Sequence, residues 1–429
     1  MKVYLISMGC AKNSVDSEKL LGVLRAQGIE VTADIDTADM AIVNTCGFIK
    51  PAVEENIDVI LELERMKELG RLEKIGVVGC LVNRYGDELK RELPSVDLWA
   101  NSEEWESVAS FFGFPRQTEE RHRLPGTPAW SRYLKVGEGC NSSCSYCTIP
   151  SIRGGLRSVP LRELLEEAQL LVCEGAREIC LVGQDLTVYG TDLYGAPGLK
   201  ELLKALETDL PRDVWVRLLY LHPSRIDEPL IEMIAGSPRI LSYLDIPIQH
   251  IDEDILQRMN RADSGMGIRR VFSCARSIDP LFALRTTVIT GFPGETERQF
   301  SKLLDFLEET ELDRVGAFTF SPEEGTPAYG MEGQIEEAVK RGRCNRLLEL
   351  QAEISIERQR LFIGRRLNVL IEEVSREDDI AWGRSYREAP EVDGLIGVHG
   401  GSALEEGSIV EVLISDAEEQ DLFAEIPGA

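Results

Sequence analysis

One short stretch limits what this chain can be: Gly137-Glu-Gly-Cys140-Asn-Ser-Ser-Cys144-Ser-Tyr-Cys147, three thiols within eight residues. Thiols so closely spaced are metal ligands far more often than packing residues. A structural zinc site takes four protein ligands. Here the next cysteine is Cys173, and the nearest histidines, His122 and His222, lie well away in sequence. A 4Fe–4S cube saturated by protein takes four cysteines, one per iron. Three thiolates would leave one iron open to something that is not protein. The plainer alternatives are a zinc knuckle completed by a distant ligand, or a redox-inert cluster.

The first hundred residues alternate strand and helix. Val3–Ser7, Met40–Asn44 and Lys74–Val78 are short apolar runs, and each leads into a cysteine: Cys10, Cys46 and Cys80. Helices are expected from about Ser14, capped by Asn13 or Ser14 with Asp16 and Glu18 in the first turn, and from Pro51 to Lys67. In a doubly wound parallel sheet the carboxyl ends of the strands share one edge, where ligands bind. Singly, each cysteine reads as a small core residue. Three in the same topological place predict a second cluster, again with three thiolates and an open iron.

Between Phe111 and Pro128 the pattern breaks at Pro115, Pro125 and Pro128, which reads as an interdomain linker. From Arg132 to Arg360 alternation resumes. Candidate strands are Tyr133–Gly137, Glu178–Gly183, Val214–Leu221, Leu241–Ile248, Phe282–Thr290 and Val315–Phe320. Six βα units predict an α/β domain with a partial TIM-type barrel, its chemistry at the carboxyl ends of the strands. Those ends carry the Cys140 loop, Gln184-Asp185, His222-Pro223, Gln249-His250, Thr290-Gly291 and Ser321. Gly291-Phe-Pro-Gly-Glu-Thr296 lacks the lysine of a phosphate loop and reads as a turn capped by Thr296. Cys173, Cys180, Cys274 and Cys344 fall inside expected elements and read as core residues.

From Ile363 to Ile426 short alternating runs, such as Leu367–Glu372, Gly394–Val398 and Ile409–Ile414, predict a small β-barrel. This segment holds sixteen carboxylates and five arginines, within a chain of 429 residues and net charge −27. Proteins that hold long nucleic acids usually carry a basic footprint, so this balance favours a basic partner. The N-terminus turns polar too soon for a signal peptide, and no apolar run approaches a membrane span. A soluble, cytoplasmic protein with reduced thiols is expected.

The Cys140-x3-Cys144-x2-Cys147 spacing, with Tyr146 before the last thiol, resembles the signature of radical S-adenosylmethionine (SAM) enzymes. The whole layout resembles the methylthiotransferases, which join an N-terminal cluster domain, a radical SAM core and a C-terminal TRAM barrel. On that resemblance the parts are expected at 1–116, 126–357 and 360–428. The stretches that carry it are Met8–Ser17, Glu138–Ser151, Tyr243–His250, Arg285–Thr296 and Phe320–Thr326. Within the family, the chain resembles the branch that acts on an aspartate of ribosomal protein S-twelve. The tRNA branch typically has Gln-Met-Asn after its first thiol, where Ala11-Lys12-Asn13 stands here, and Pro-Val-Gln-Ser in place of Pro247-Ile-Gln-His250. Ala11 departs from the proline often found at its position.

The resemblance implies two 4Fe–4S clusters, an auxiliary one on Cys10, Cys46 and Cys80 and a radical SAM one on Cys140, Cys144 and Cys147. It implies that one SAM donates a methyl group to sulfur at the auxiliary cluster. A second yields the radical that abstracts hydrogen from the aspartate β-carbon, which then takes the methylthio group. Gln184, Asp185, Gln249 and His250 are candidate contacts to SAM or substrate, and Arg153 and Arg157 are candidates for the SAM carboxylate. The chemistry is borne by the clusters, so no side chain is assigned a catalytic role. The partners implied are protein S-twelve, free or on the small ribosomal subunit, and an electron donor. The competing readings are a tRNA methylthiotransferase and a non-catalytic iron–sulfur scaffold docking on the ribosome.

Overall fold

The structure, a computed structural model, describes residues 1–113, 123–125 and 128–427. Its N-terminal unit is a five-stranded parallel sheet in the order β2-β1-β3-β4-β5, formed by Lys2–Ser7 (β1), Glu30–Val31 (β2), Met40–Thr45 (β3), Lys74–Gly79 (β4) and Leu98–Ala100 (β5). β3 is buried at every position, as a central strand covered on both faces requires. The crossover helices are Ala11–Ala26 (α1), Lys50–Glu68 (α2), Cys80–Glu92 (α3) and Trp105–Phe111 (α4). On α2 the buried residues Asn56, Ile60, Leu63 and Met66 recur every three to four positions, one stripe facing the sheet.

Helix α1 differs from the expectation at both its start and its faces. It begins directly after Cys10, whose extended backbone ends the loop, and neither Asn13 nor Ser14 caps it. Lys12, Asp16, Ser17 and Glu18 are buried together with Val15 and Leu20. The reason is tertiary: α1 is wedged between its own sheet and the first strand of the next unit.

That unit has six parallel strands, Ser131–Lys135 (β6), Glu178–Val182 (β9), Trp215–Leu218 (β10), Tyr243–Asp245 (β11), Ala283–Thr290 (β12) and Arg314–Thr319 (β13). They form two three-stranded sheets, β10-β9-β6 and β11-β12-β13, joined through a bridge between Val216 and Ile240. The result is an open crescent of the partial-barrel type. Between β6 and β9 lie two short strands that pair antiparallel, Gly137–Glu138 (β7) and Arg157–Ser158 (β8), the helix Ile149–Arg153 (α5) and the helix Leu161–Cys173 (α6). The remaining helices, α7 to α13, are Thr191–Tyr194, Leu199–Asp209, Glu228–Gly236, Glu253–Arg258, Gly265–Ile278, Glu297–Thr310 and Glu337–Arg360. Thr296 caps α12 in a reciprocal capping box with Gln299, so the Gly291 segment is a strand-to-helix turn.

The C-terminal unit is a closed barrel, β14-β15-β16-β18-β17, from Arg366–Ser375 (β14), Ile380–Arg384 (β15), Ile396–His399 (β16), Ile409–Ala417 (β17) and Leu422–Glu425 (β18). Bulges between Ile371 and Glu373 and between Ile414 and Asp416 give long strands the bend that closure needs. β15 and β18 escape a sequence reading because Gly383 interrupts one and the other is four residues long. Gly383 is required there, since a Cβ would strike the Leu370 carbonyl.

Most of the expected linker, including Pro115 and His122, lies outside the described residues, as do the expected boundaries at 116, 126 and 428. Arg123 is buried against Glu18 and Glu167. Of the four remaining cysteines, Cys180 is core. Cys274 and Cys344 are half-buried, and Cys173 is exposed at the end of α6, contrary to expectation.

Candidate active site

The ends of β1, β3 and β4 are adjacent because those strands are paired, Ser7 opposite Asn44 and Thr45 opposite Gly79. Cys10, Cys46 and Cys80 therefore leave the sheet side by side. Polar side chains staple the three turns. The Asn13 amide donates to the Met8 carbonyl (2.8 Å) and the Thr45 carbonyl (3.0 Å). Asn44 donates to the Asn13 carbonyl and to Ser17 Oγ, both at 2.9 Å. Gly79 must be glycine: at φ +100 it sits against the Asn44 side chain and the Thr45 backbone.

The second trio is held by a clasp. β7 and β8 pair across the base of the loop, and the Cys140 N–H donates to the Gly154 carbonyl at 3.1 Å. Ser145 pins the tip to the far side of the crescent, its N–H on the Met259 carbonyl and its Oγ on the Arg258 carbonyl. Two backbone N–H groups already point at sulfur, Ser142 to Cys140 Sγ (3.3 Å) and Ile149 to Cys147 Sγ (3.4 Å). Arg261 donates to the Tyr146 hydroxyl at 3.2 Å while paired with Asp263 at 2.7 Å.

One thiol of the first trio and all three of the second open onto one cavity of about 560 Å³. Cys10 lines one wall and Cys140, Cys144 and Cys147 another. Of the expected contacts, Gln184, Asp185 and Gln249 line it. Gln249 adopts φ +68, a left-handed backbone held against β12 by bonds to Thr287 and Ile289. Asp185 accepts from the Thr187 N–H at 2.9 Å and pairs with Arg225.

Arg153 is placed elsewhere, which corrects its reading as a SAM contact. It does not line the cavity, and its guanidinium is fully engaged on the auxiliary side. Nε donates to Cys80 Sγ (3.1 Å), Nη1 to Asp16 (2.9 Å) and Glu138 (2.6 Å), and Nη2 to Asn13. Nothing in the order of the chain signals this, because its partners lie more than seventy residues away save Glu138. His250 is also turned away, fully buried between Glu295 and the Asp252 N–H. Sequence reasoning missed five groups of cavity residues: Lys12, Tyr220, Arg261, Arg285 with Asp245, and Pro390-Glu391-Val392 from the C-terminal unit. Lys12 stands two positions after a cysteine, and Asp245 and Arg285 fall inside the stretches Tyr243–His250 and Arg285–Thr296; the others left no signal in the chain.

The thiols fit clusters better than single ions. Three sulfurs on one tetrahedral zinc would stand about 3.8 Å apart. Among the described residues, however, the only three His, Cys, Asp or Glu ligand atoms mutually within 4.8 Å belong to Asp16, Glu103 and Glu138. That acidic nest is filled by the Lys135 ammonium, 2.7 Å from Glu103 and 3.0 Å from Glu138 and also bonded to Asp16. Burial tends to raise the Glu138 carboxyl, but Lys135 and Arg153 overcome it and hold it at about 2. Burial pushes the Cys80 thiol up to about 11 and Cys147 up to about 12, and raises Cys46 and Cys144. Such thiols keep their protons at neutral pH until a strong Lewis acid displaces them.

Comparison with known proteins agrees with this geometry. Residues 2–101 match the family model described as uncharacterized protein family UPF0004, 134–307 the radical SAM superfamily, and 363–426 the TRAM domain. Two solved structures share the fold at low identity. The radical SAM methyltransferase TsrM from Kitasatospora setae has a TM-score of 0.56, 16% identity and 76% of each chain covered. The cobalamin-dependent SAM radical enzyme OxsB has a TM-score of 0.52 and 13% identity, over 82% of this chain and 56% of its own. The matched families together with the curated relatives make this a radical SAM transferase of the methylthiotransferase class, with two 4Fe–4S clusters and SAM as its cofactors.

Curated relatives narrow the class. "Ribosomal protein uS12 methylthiotransferase RimO" of Geobacter sulfurreducens is 44% identical over 441 residues, covering 99% of this chain and 98% of its own. The protein of the same name from Lachnoclostridium phytofermentans is 41% identical over 437 residues, covering 99% of both chains. The chain belongs to this RimO family.

Proposed function

We propose that Cys10, Cys46 and Cys80 hold the auxiliary cluster, that Cys140, Cys144 and Cys147 hold the radical SAM cluster, and that the enzyme methylthiolates the β-carbon of an aspartate in ribosomal protein uS12. The observation that carries this reading is the single cavity onto which Cys10 and the second trio both open. When bound, the clusters and SAM supply the hydrogen-abstracting radical and the methylthio group. The chain's own residues place the target carbon and exclude water. Gln184, Asp185 and Gln249 contact SAM or substrate from the strand ends, Arg261 fixes Tyr146 beside the second trio, and Pro390–Val392 close the wall toward solvent. Units at 1–116, 126–357 and 360–428 carry the auxiliary site, the radical core and an acidic surface that suits a basic protein on the small ribosomal subunit. An external electron donor and a cytoplasmic setting complete the reading. Among the described residues no helix is long and apolar enough to cross a membrane.

The test is mass spectrometry after anaerobic incubation of the reconstituted enzyme with SAM, reductant and sulfide. One tube holds uS12 and another unmodified tRNA. The expected result is a methylthio mass gain on one uS12 aspartate. A gain only on tRNA would move the chain to the tRNA branch. No gain on either, with no deoxyadenosine formed and both clusters intact, would leave a scaffold.

A further inference from the structure

The cavity between the thiol trios is lined by three obligate cations, and two are already neutralised. Arg261 pairs with Asp263 at 2.7 Å, and Arg285 with Asp245 at 3.0 Å and Asp393 at 3.4 Å. His222, the fourth basic side chain there, faces Asp263 at 3.4 Å. Lys12 differs. Among the described residues no carboxylate lies within 4.0 Å of its ammonium, and the residue is 6% exposed. Its two partners are neutral: the Gly183 carbonyl at 3.3 Å and the face of the Tyr220 ring, 3.9 Å from the centroid. Cys10 and Glu138 act on it only through space; a buried cation with no direct anionic partner is costly, so the position asks for one from outside the chain.

We propose that the Lys12 ammonium receives the carboxylate of the target aspartate, and so selects the substrate residue. The inference rests on the reading that the target is an aspartate. The position suits the task. Lys12 stands in the first turn of α1, two residues past Cys10, and reaches across to the end of β9 in the radical core. It therefore bridges the two walls between which the reacting carbon must sit. The carboxyl carbon of aspartate is one bond, about 1.5 Å, from the β-carbon that is functionalised. Fixing the carboxylate thus fixes the reacting atom. An ammonium has three N–H donors; the Gly183 carbonyl takes one, and the ring face below takes none linearly. Two donors remain for carboxylate oxygens. An amide or a base edge offers no charge in return, so the same contact disfavours asparagine and adenine.

The test compares uS12 with its variant carrying asparagine at the target position. Binding to the reconstituted enzyme in the presence of SAM is followed by fluorescence anisotropy. The wild type is expected to bind the aspartate form at least tenfold more tightly. Lys12→Met is expected to bring the two forms within twofold by weakening the aspartate form alone, while Lys12→Arg retains the preference. SAM affinity, iron content and the spectrum of the auxiliary cluster are expected to stay as in the wild type for both variants. Persistence of the preference in Lys12→Met overturns the inference by itself. Loss of SAM affinity assigns Lys12 to the SAM carboxylate, and loss of the auxiliary cluster assigns it to charge balance at Cys10; either overturns it too. Absence of any aspartate preference in the wild type overturns the aspartate reading along with it.

Discussion

Glu178, the first residue of β9, joins the radical core to the C-terminal barrel, and replacing it by glutamine should loosen that joint. Its carboxylate is wholly buried. One oxygen accepts from Arg217 Nε (2.7 Å), the other from Arg384 Nη2 (2.6 Å) and Ser131 Oγ (2.9 Å). Arg384 belongs to β15, and Arg217 donates onward to the Tyr386 and Ser385 carbonyls at 2.8 and 2.9 Å. Burial alone would raise the Glu178 carboxyl; Arg384 and Arg217 outweigh it and hold it at about 2, against an ordinary 4.5. That difference corresponds to about 3 kcal/mol of stability at neutral pH. Breaking a buried ion pair by removing one partner typically costs about 3–5 kcal/mol, so two routes to the magnitude agree.

The sign with pH follows from the depressed folded value. The contribution is complete above the unfolded value of 4.5 and drains away as pH falls from 4.5 toward 2. The difference between wild type and Glu178→Gln should therefore be about 3 kcal/mol at pH 7 and about 1 kcal/mol at pH 3. Hydrogen exchange of the backbone amides of β15 and of residues 385–388 reads this locally, without assuming that the whole chain unfolds in one step. Equal protection in the two proteins at pH 7, or a difference that does not shrink on acidification, would refute the argument.

Arg153→Leu removes the N–H···S bond to Cys80. The auxiliary cluster should shift to lower potential by some tens of millivolts, the one-electron equivalent of about 1 kcal/mol, as read by a potentiometric EPR titration. Gly139→Ala should block cluster assembly on the second trio alone. Gly139 holds φ +72, and a Cβ there would land on the Gly154 and Gly155 carbonyls. Iron content should fall by about half, with the auxiliary signal intact.

What the sequence made legible was local. β-Branched runs ending in glycine and cysteine located β3 and β4, and with them the cysteines of one sheet edge, because strand pairing alone brings those ends together. The trio at Cys140 was legible because its spacing is itself the site. The joints between units were not. Asp16 and Glu18 looked like acids placed in the first turn of α1. They are instead buried counter-ions, Asp16 for Lys135 and Arg153, Glu18 for Arg123 and Arg132. No periodicity encodes a partner more than a hundred residues away. Arg153 was misread for the same reason: an arginine just past a cysteine loop can turn to either cluster, and only the position of α1 decides. The cavity wall at Pro390–Val392 depends likewise on how the C-terminal barrel is docked, through Glu178 and through Asp393 on Tyr243 and Arg285.

The same joints bear on the acidity of the C-terminal barrel. Its sixteen carboxylates and five arginines give a ratio of about three to one along the sequence. Arg384 and Arg387 are buried in the joint, and so are the carboxylates of Glu388 and Asp393. Subtracting these leaves fourteen carboxylates against three arginines to face solvent or lie half-buried, nearly five to one. Docking the barrel thus takes up its cations in holding it to the core, and the surface it offers a partner is more acidic than its composition. A polyanion such as tRNA would meet that surface at an electrostatic cost that rises as salt falls. A basic protein would be drawn to it, beside a cavity mouth framed by Glu391 of the same barrel. The arginines that hold the third unit in place are, by their burial, also what leaves its surface fit for a cationic substrate.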